Sequence, residues 1–358
     1  MQQDCSKTSR LLLSSKELIE ITASTSNRSV LAGLRSRKSY LLTGSYGTAM
    51  AFYSWLKKQV NQSNPVFNYQ SSRNNRNQFH ALTSRVYVRV CNNSVDLEKS
   101  PKVPWLKELY PQNNDFFIPF SDVLGINGAW QWHVNGVEFP NLKFKLHPYY
   151  NVYFPTRTEH LQLFDKWLEN KQNFKRGLDM GTGCGVLTFY MIKHGVNEVL
   201  ATDINEKALK SLVNDAKQHN LSHRIFTQKA NMFQGVDLDD MDLVVFNPPW
   251  IPDAGNSDLD NAMYYPPSFF SDFFKQAYKA LRESCTLVIL FSTFAQAAGL
   301  TNENPIEVEL SENSRFTLIK KNELPVKQKP SAKKHWLSEI RKNERVQLWE
   351  LQKNLSNF

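Results

Sequence analysis

The chain has 358 residues, of which 41% are hydrophobic and 22% charged, a composition typical of a globular protein with a sizeable core. No apolar run reaches the length of a membrane span, and the amino terminus lacks a secretory pattern, so we expect a cytoplasmic protein. The net charge is +9, and residues 1–150 hold 18 basic and 9 acidic side chains. This distribution suits a phosphate-rich partner, although it also suits an ordinary solvated surface.

Residues 1–150 predict an amino-terminal basic domain of α+β type that contributes to substrate recognition. Asn135-Gly136 is a typical hairpin turn and is flanked by alternating apolar residues. The predicted elements of this domain are helices at 15–24 and 48–60, a loop at 71–78, a strand at 84–90 and a β-hairpin at 128–139.

Residues 151–358 alternate between strand and helix patterns, which predicts a Rossmann-like α/β domain with ligands at the carboxyl ends of parallel strands. Two late alternating segments, at 315–321 and 344–351, are expected to close the sheet as an antiparallel pair, which makes seven strands. The five earlier strands are predicted at 176–180, 198–203, 224–228, 243–246 and 286–291, with helices at 205–220 and 271–283 among the connections.

A glycine-rich turn follows the first of these strands. Asp179 is followed by Gly181, Gly183 and Gly185, and glycine lets a backbone turn tightly and approach a ligand closely. The third glycine comes too early for the dinucleotide fingerprint, which suggests a cofactor without a pyrophosphate. Asp203 ends the second strand, where a carboxylate can accept both hydroxyls of a ribose, while Asn205 can cap the next helix. S-adenosylmethionine meets these requirements.

The fourth strand ends in Asn247-Pro248-Pro249-Trp250. The side-chain oxygen of Asn247 and the carbonyl of Pro248 can each accept one N–H of a planar nitrogen, which orients its lone pair toward a methyl donor. Trp250 can stack on the planar group. We therefore predict that Asn247, Pro248 and Trp250 act on the methyl acceptor, with Asn247 also bordering the cofactor.

Residues 176–300 resemble the catalytic core of class I S-adenosylmethionine-dependent methyltransferases, in particular the amino-methyltransferases with an NPP[FYW] motif. This group includes adenine-N6 and guanine-N2 nucleic-acid methyltransferases and release-factor glutamine methyltransferases. The resemblance implies that Asp179, Gly181, Gly183 and Gly185 form the cofactor loop. It also implies that Asp203 holds the ribose.

The same resemblance assigns three further cofactor contacts. Thr158 and Glu159, within 152–160, correspond to a segment near the methionine end of the cofactor, although they also suit a helix start. Asn231 stands where many relatives have an acid for the adenine amino group. Glu283-Ser284 replaces a usual glycine pair, which suggests a different local turn.

The sequence leaves the identity of the methyl acceptor open. The basic domain favours a nucleobase in nucleic acid, RNA foremost, whereas seven acids that flank the NPPW motif in sequence favour a protein glutamine. A non-catalytic cofactor-binding scaffold is the third alternative. No metal is expected, because His219 and His223 lack an acidic co-ligand and the cysteines form no CxxC pair. The seven acids are Asp237, Asp239, Asp240, Asp242, Asp253, Asp258 and Asp260.

Overall fold

The computed structural model describes residues 17–22, 24–171, 174–255, 258–327 and 336–354. The chain divides into two compact units, Met1–Gln131 and Trp132–Phe358. The second unit begins before residue 151 because Val137, Phe139 and Leu146 are buried in its core. The recognition role of the amino-terminal domain stays a prediction.

The first unit contains a five-stranded mixed sheet. Its strands β1 and β2, and β2 and β3, pair in parallel, whereas β4 and β5 pair with β3 in antiparallel orientation. The elements are β1 (Ile19–Ile21), α1 (Asn27–Arg35), β2 (Tyr40–Leu42), α2 (Tyr46–Ser63), α3 (Tyr69–Thr83), β3 (Val86–Cys91), β4 (Ser94–Val95), α4 (Trp105–Leu109), β5 (Asp115–Pro119) and α5 (Phe120–Asn135), whose last residues belong to the second unit.

Three expectations for this part of the chain were wrong. Residues 19–21 form an edge strand instead of a helix, and residues 71–78 lie inside helix α3 instead of a loop. The expected hairpin at 128–139 is mostly helix α5, and Gly136 follows that helix with a φ of 68°. An Asn-Gly pair supplies the left-handed backbone that a helix end needs as readily as that of a hairpin turn. The expected helix at 48–60 and strand at 84–90 correspond to α2 and β3.

The second unit follows the predicted alternation. Its elements are α6 (Glu159–Glu169), β6 (Arg176–Met180), α7 (Val186–Lys193), β7 (Glu198–Asp203), α8 (Glu206–Gln218), β8 (Ile225–Lys229), β9 (Leu243–Phe246), β10 (Ile251–Pro252), α9 (Asp258–Asn261), β11 (Tyr264–Tyr265), α10 (Phe269–Ala280), β12 (Thr286–Ser292), α11 (Phe294–Ala297), α12 (Pro305–Val308), β13 (Phe316–Pro325), α13 (Trp336–Asn343) and β14 (Arg345–Lys353).

Seven of these strands form one sheet in the order β13-β14-β12-β9-β6-β7-β8. The five central and edge strands from β12 to β8 run parallel, and β14 and β13 close the sheet as the predicted antiparallel pair. The sheet has the seven strands and the Rossmann-like α/β arrangement expected from the sequence, so the expected fold is confirmed. Among the described residues, no helix has both the length and the apolar character to cross a membrane.

Buried side chains cover both faces of this sheet. Leu243 and Val245 belong to one apolar cluster, whereas Val244 and Phe246 belong to the other. Successive side chains of a strand point to opposite faces, so a central strand between two helical layers is apolar throughout. This is why the continuous apolar run at 243–246 correctly predicted a buried strand.

Candidate active site

The ends of three neighbouring strands lie level with one another. Met180 of β6 pairs with Thr202 of β7 on one side and with Phe246 of β9 on the other. The glycine turn, Asp203 and the Asn247 segment therefore begin side by side at the carboxyl edge of the sheet. The structure brings together the three motifs that are far apart in sequence.

The glycine turn follows β6 in a backbone conformation that favours glycine. Gly181, Gly183 and Gly185 have φ values of 64°, 53° and 84°. A Cβ on Gly183 would lie 2.9 Å from the carbonyl oxygen of Tyr153, and one on Gly185 would lie 2.6 Å from Leu212. Larger residues at these positions would need the turn to move, so the turn is closely packed from both sides.

Asp179 stabilises this turn through hydrogen bonds. Its Oδ2 accepts hydrogen bonds from the hydroxyl of Thr182 (2.7 Å) and from the backbone N–H and hydroxyl of Thr188 (3.0 and 2.7 Å). Burial raises the pKa of this carboxyl to about 6, although these hydrogen bonds act in the opposite direction. Its Oδ1 is buried without a hydrogen-bond partner in the described part of the chain.

Asp203 connects the second strand to the same turn. Its Oδ2 accepts the backbone N–H of Gly183 at 2.9 Å, and its Oδ1 accepts that of Asn205 at 2.8 Å. Asn205 caps helix α8 through the backbone N–H of Lys207, as the sequence suggested. These contacts orient the Asp203 carboxylate next to the glycine turn.

The segment after β9 is held rigidly. Pro248 and Pro249 are buried, and the following strand β10 pairs with β11 through Ile251 and Tyr264. The indole N–H of Trp250 donates to the carbonyl of Leu290 at 3.3 Å. Within the residues that the structure describes, Asn247 Oδ1 is buried and has no hydrogen-bond partner.

Asn247 and Trp250 border a cavity of about 310 Å³. Its other wall includes the segment from Tyr153 to Arg157, together with His160, Phe294 and Arg341. The sequence analysis did not identify the last three. His160 lies inside the segment 152–160 that it considered, but Phe294 and Arg341 carry no motif.

Two arginines that border the cavity form ion pairs with buried carboxylates. Arg157 lies 3.5 Å from Glu159 and donates to the carbonyl of Lys327 at 3.1 Å, while Arg341 donates to Glu344. Burial, and also the positive charge of Arg341, lower the pKa of Arg157. Both guanidinium groups border the same cavity.

Thr158 and Glu159 begin helix α6, which matches the helix start that was the alternative prediction. The hydroxyl of Thr158 makes no capping bond, but it accepts a bond from Gln162 at 3.3 Å. The carboxylate of Glu159 accepts the backbone N–H groups of Thr158 and Lys327. Asn231 is exposed beyond the end of β8. Cofactor contacts of all three residues stay predictions.

The acidic residues before the NPPW motif do not lie at the cavity. Asp237, Asp239, Asp240 and Asp242 precede β9, whereas Asn247 follows it, and the four-residue strand separates the two ends by about 13 Å. Asp242 instead accepts the backbone N–H groups of Lys175 and Arg176 and pairs with Arg282. The expectation that acids surround the motif on both sides was therefore wrong on this side.

The sheet, the glycine turn and the strand ends have the arrangement expected from the sequence. Residues 161–320 match the family model of the methyltransferase small domain. This part of the chain, slightly less than half of its length, is therefore similar to that family.

Three relatives have methyltransferase names. A putative protein N5-glutamine methyltransferase of Methanocaldococcus jannaschii is 30% identical over 129 residues, which are 36% of this chain and 61% of the relative. A ribosomal protein L11 methyltransferase of Listeria monocytogenes is 34% identical over 70 residues, 20% of this chain and 22% of the relative. A ribosomal protein uL3 glutamine methyltransferase of Bordetella pertussis is 26% identical over 103 residues, which are 28% of this chain and 35% of the relative. The chain thus spans less than two thirds of each relative.

Solved structures share the fold only distantly. The ribosomal protein L11 methylase of Lactobacillus delbrueckii subsp. bulgaricus has a TM-score of 0.39 and 19% identity, and the comparison covers 61% of this chain and 91% of that one.

The residues of the site fit S-adenosylmethionine. The turn at Gly181 presents backbone without a side chain, and buried Asp179 Oδ1 and Asn247 Oδ1 are acceptors without partners in the described chain. Such orphaned buried acceptors are rare in native proteins and indicate a missing donor. Among the described residues, no group of three or more His, Cys, Asp or Glu side chains could hold a metal ion.

Proposed function

We propose that this chain is an S-adenosylmethionine-dependent N-methyltransferase that methylates a planar exocyclic nitrogen. The observation that carries the proposal is Asn247 Oδ1, a buried acceptor without a partner in the described chain, beside the glycine turn. Bound cofactor supplies an electrophilic methyl group. The glycine turn and Asp203 hold the cofactor, and Thr158, Glu159 and Asn231 are proposed as further contacts.

Asn247 and Pro248 prepare the acceptor nitrogen. The lone pair of a planar nitrogen is conjugated and therefore a poor nucleophile. When Asn247 Oδ1 and the Pro248 carbonyl each accept one N–H, the nitrogen is favoured in a pyramidal form whose lone pair points away from the protein acceptors. The buried prolines and the β10–β11 pair keep these oxygens in place, and Trp250 contributes an aromatic wall for the planar group.

A nucleobase of RNA or DNA is the acceptor that the charges support best. Four of the acids that argued against nucleic acid lie at the other end of β9, while Arg157 and Arg341 border the cavity. Their carboxylate partners Glu159 and Glu344 are only 6% and 1% exposed and do not line the cavity, so the guanidinium side of each ion pair is the one that borders it. Residues 1–150 have an excess of 9 basic over acidic side chains, which suits a phosphate-rich partner.

A protein glutamine is the second candidate acceptor. It is favoured by the names of the relatives from M. jannaschii and B. pertussis, both glutamine methyltransferases. A glutamine amide also presents a planar nitrogen with two N–H groups, so the roles proposed for Asn247 and Pro248 are unchanged. No observation favours a non-catalytic scaffold.

Tritium transfer from methyl-labelled cofactor distinguishes these candidates. The full chain is incubated with separate pools of bulk RNA, DNA and ribosomal protein, and the labelled pool is digested to identify the methylated unit. We expect label in a nucleobase, strong loss of label with Asn247→Ala, and none of this loss with Asn170→Ala, an exposed asparagine at the end of α6. Label in glutamine would select the second candidate, and no label in any pool would refute the proposed activity.

A further inference from the structure

His160 is a buried histidine at the cavity. It is the second residue of α6, is 1% exposed, and borders the cavity together with Asn247. Among the residues that the structure describes, neither Nδ1 nor Nε2 has a partner. The ring stands perpendicular to the indole of Trp250, with ring centroids 5.1 Å apart.

Two other histidines of the same unit have a carboxylate partner, whereas the Nε2 of His219 is also buried without a hydrogen-bond partner in the described chain. His194 Nε2 contacts Asp165 at 2.8 Å, and His147 Nδ1 contacts Asp215 at 2.9 Å. His160 follows Glu159 directly, yet that carboxylate accepts backbone N–H groups of Thr158 and Lys327. Buried polar groups are nearly always paired in native proteins, so an imidazole left unpaired beside a cavity indicates a partner that enters the cavity.

Burial lowers the pKa of His160 to about 4, so the ring is neutral at physiological pH. A neutral imidazole has one N–H donor and one acceptor nitrogen. It can therefore form a hydrogen bond with an uncharged polar atom without bringing a charge into the cavity.

We infer that His160 recognises the acceptor by donating a hydrogen bond to the atom beside the nitrogen that Asn247 holds. The inference rests on the proposed function and extends it to the group that surrounds the nitrogen. In amides and in the amidine edges of nucleobases, a carbonyl oxygen or ring nitrogen adjoins the NH₂ group. Asn247 takes an N–H of such a group, and His160 donates to its neighbouring O or N atom.

The pair of contacts has a consequence for specificity. An alkyl amine offers an N–H but no neighbouring acceptor atom, so it would leave the buried imidazole unpaired. Sites that are built to hydrogen-bond a substrate group reject analogues that lack the group. His160 thus selects amide-like and amidine-like nitrogens over plain amines.

The test compares four full-length proteins: wild type, His160→Phe, His160→Gln and the control His219→Phe. His219 stacks on Phe144 with ring centroids 3.8 Å apart, and phenylalanine keeps that stacking. Methyl transfer is measured on bulk tRNA, bulk ribosomal RNA and ribosomal protein, and kcat and KM are determined on the pool that wild type labels most. Calorimetry with S-adenosylhomocysteine reports the cofactor site separately.

We expect His160→Phe to lower kcat/KM about 10- to 100-fold, because it keeps a ring but removes the hydrogen bond. His160→Gln should recover most of this loss, since an amide also offers a donor. Binding of S-adenosylhomocysteine should change less than twofold in either variant, and His219→Phe should behave as wild type.

Three results would overturn the inference alone. They are transfer by His160→Phe within twofold of wild type, equal damage in His160→Gln and His160→Phe, and loss of S-adenosylhomocysteine binding in both variants. These would show, respectively, a dispensable ring, a requirement for ring shape, and a role in cofactor binding. If wild type labels no pool, the proposed function has failed and the inference falls with it.

Discussion

Two buried titratable groups of the second unit respond to acid in opposite ways. Burial lowers the pKa of His160 from 6.5 to about 4 and raises the pKa of Asp179 from 3.8 to about 6. Both side chains are at most 1% exposed, so solvent screens these effects little. The free energy of unfolding therefore depends on both groups over the same pH range.

The contribution of His160 is lost as the pH falls. Between pH 6.5 and about 4 the unfolded chain takes up a proton at this residue while the folded protein does not, so acidification favours unfolding. The pKa difference corresponds to about 3 kcal/mol. This stability is fully present above pH 6.5.

The contribution of Asp179 has the opposite sign. Its folded pKa is raised, so between about pH 3.8 and 6 the folded protein retains a proton that the unfolded chain has released. Stability from this group is present at low pH and is lost as the pH rises through 6, again by about 3 kcal/mol. The two dependences nearly cancel in wild type.

Single substitutions should reveal each dependence. Urea unfolding of the full chain without added cofactor, followed by circular dichroism from pH 4 to 7, gives the difference between variant and wild type at each pH. His160→Gln should become less stable relative to wild type as the pH rises from 4 to 6.5. Asp179→Asn should become more stable relative to wild type as the pH rises from 4 to 6.

The difference is informative because all other titrating groups cancel in it. His219→Gln is a control for replacing a histidine elsewhere in the same unit. Differences that do not vary with pH, or that vary in the same direction for both variants, would show that burial of these side chains does not set their protonation.

Three substitutions test the proposed site directly. Asn247→Ala should lower turnover by about 100- to 1000-fold in the transfer assay with little change in cofactor affinity. Unchanged turnover would show that residues 247–250 only end the strand and take no part in methyl transfer. Asp203→Ala should weaken calorimetric binding of S-adenosylmethionine by roughly 1.5–3 kcal/mol, and full affinity would exclude a ribose contact. Gly183→Ala should destabilise the protein by about 1–3 kcal/mol in urea unfolding because φ is 53° and Tyr153 is close; equal stability would contradict that packing.

The strands of the second unit could be predicted closely because their local pattern and their tertiary environment agree. The runs at 176–180, 198–203 and 243–246 have the bounds of β6, β7 and β9. A strand buried on both faces is largely apolar, and its end is marked by the polar residue that leaves the core. Asp203 and Asn247 were found in this way.

The elements of the first unit were harder to predict because several local sequence patterns there suit two structures. Helix α3 is polar over 71–78, yet Asn68 and Ser71 form a capping box that starts it. Buried Val123 and Ile126 lie on α5, where Asn135-Gly136 ends a helix instead of turning a hairpin. Local residue preferences are weak, and packing decided each case.

The helical residues that border the cavity could not be predicted because they come from distant parts of the chain. His160 stands on α6, Phe294 on α11 and Arg341 on α13, and their proximity depends on how these helices pack against the sheet. A single histidine or arginine has no sequence signature. The acids at 237–242 were wrongly placed near the motif because they are close to it in sequence. Strand β9 lies between them and Asn247, so they are at opposite ends of that strand.

The residues that border the cavity are therefore held in place in two different ways. The side formed by the strand ends is held by the register of Met180, Thr202 and Phe246, and altering it disturbs the cofactor site as well. His160 and Arg341 also border the cavity, but they lie on helices α6 and α13, whose side chains can change without altering the register of those strands. We therefore expect acceptor identity to depend on the helical residues of the cavity, and we propose that the Asn247 segment selects a planar nitrogen as the methylated atom.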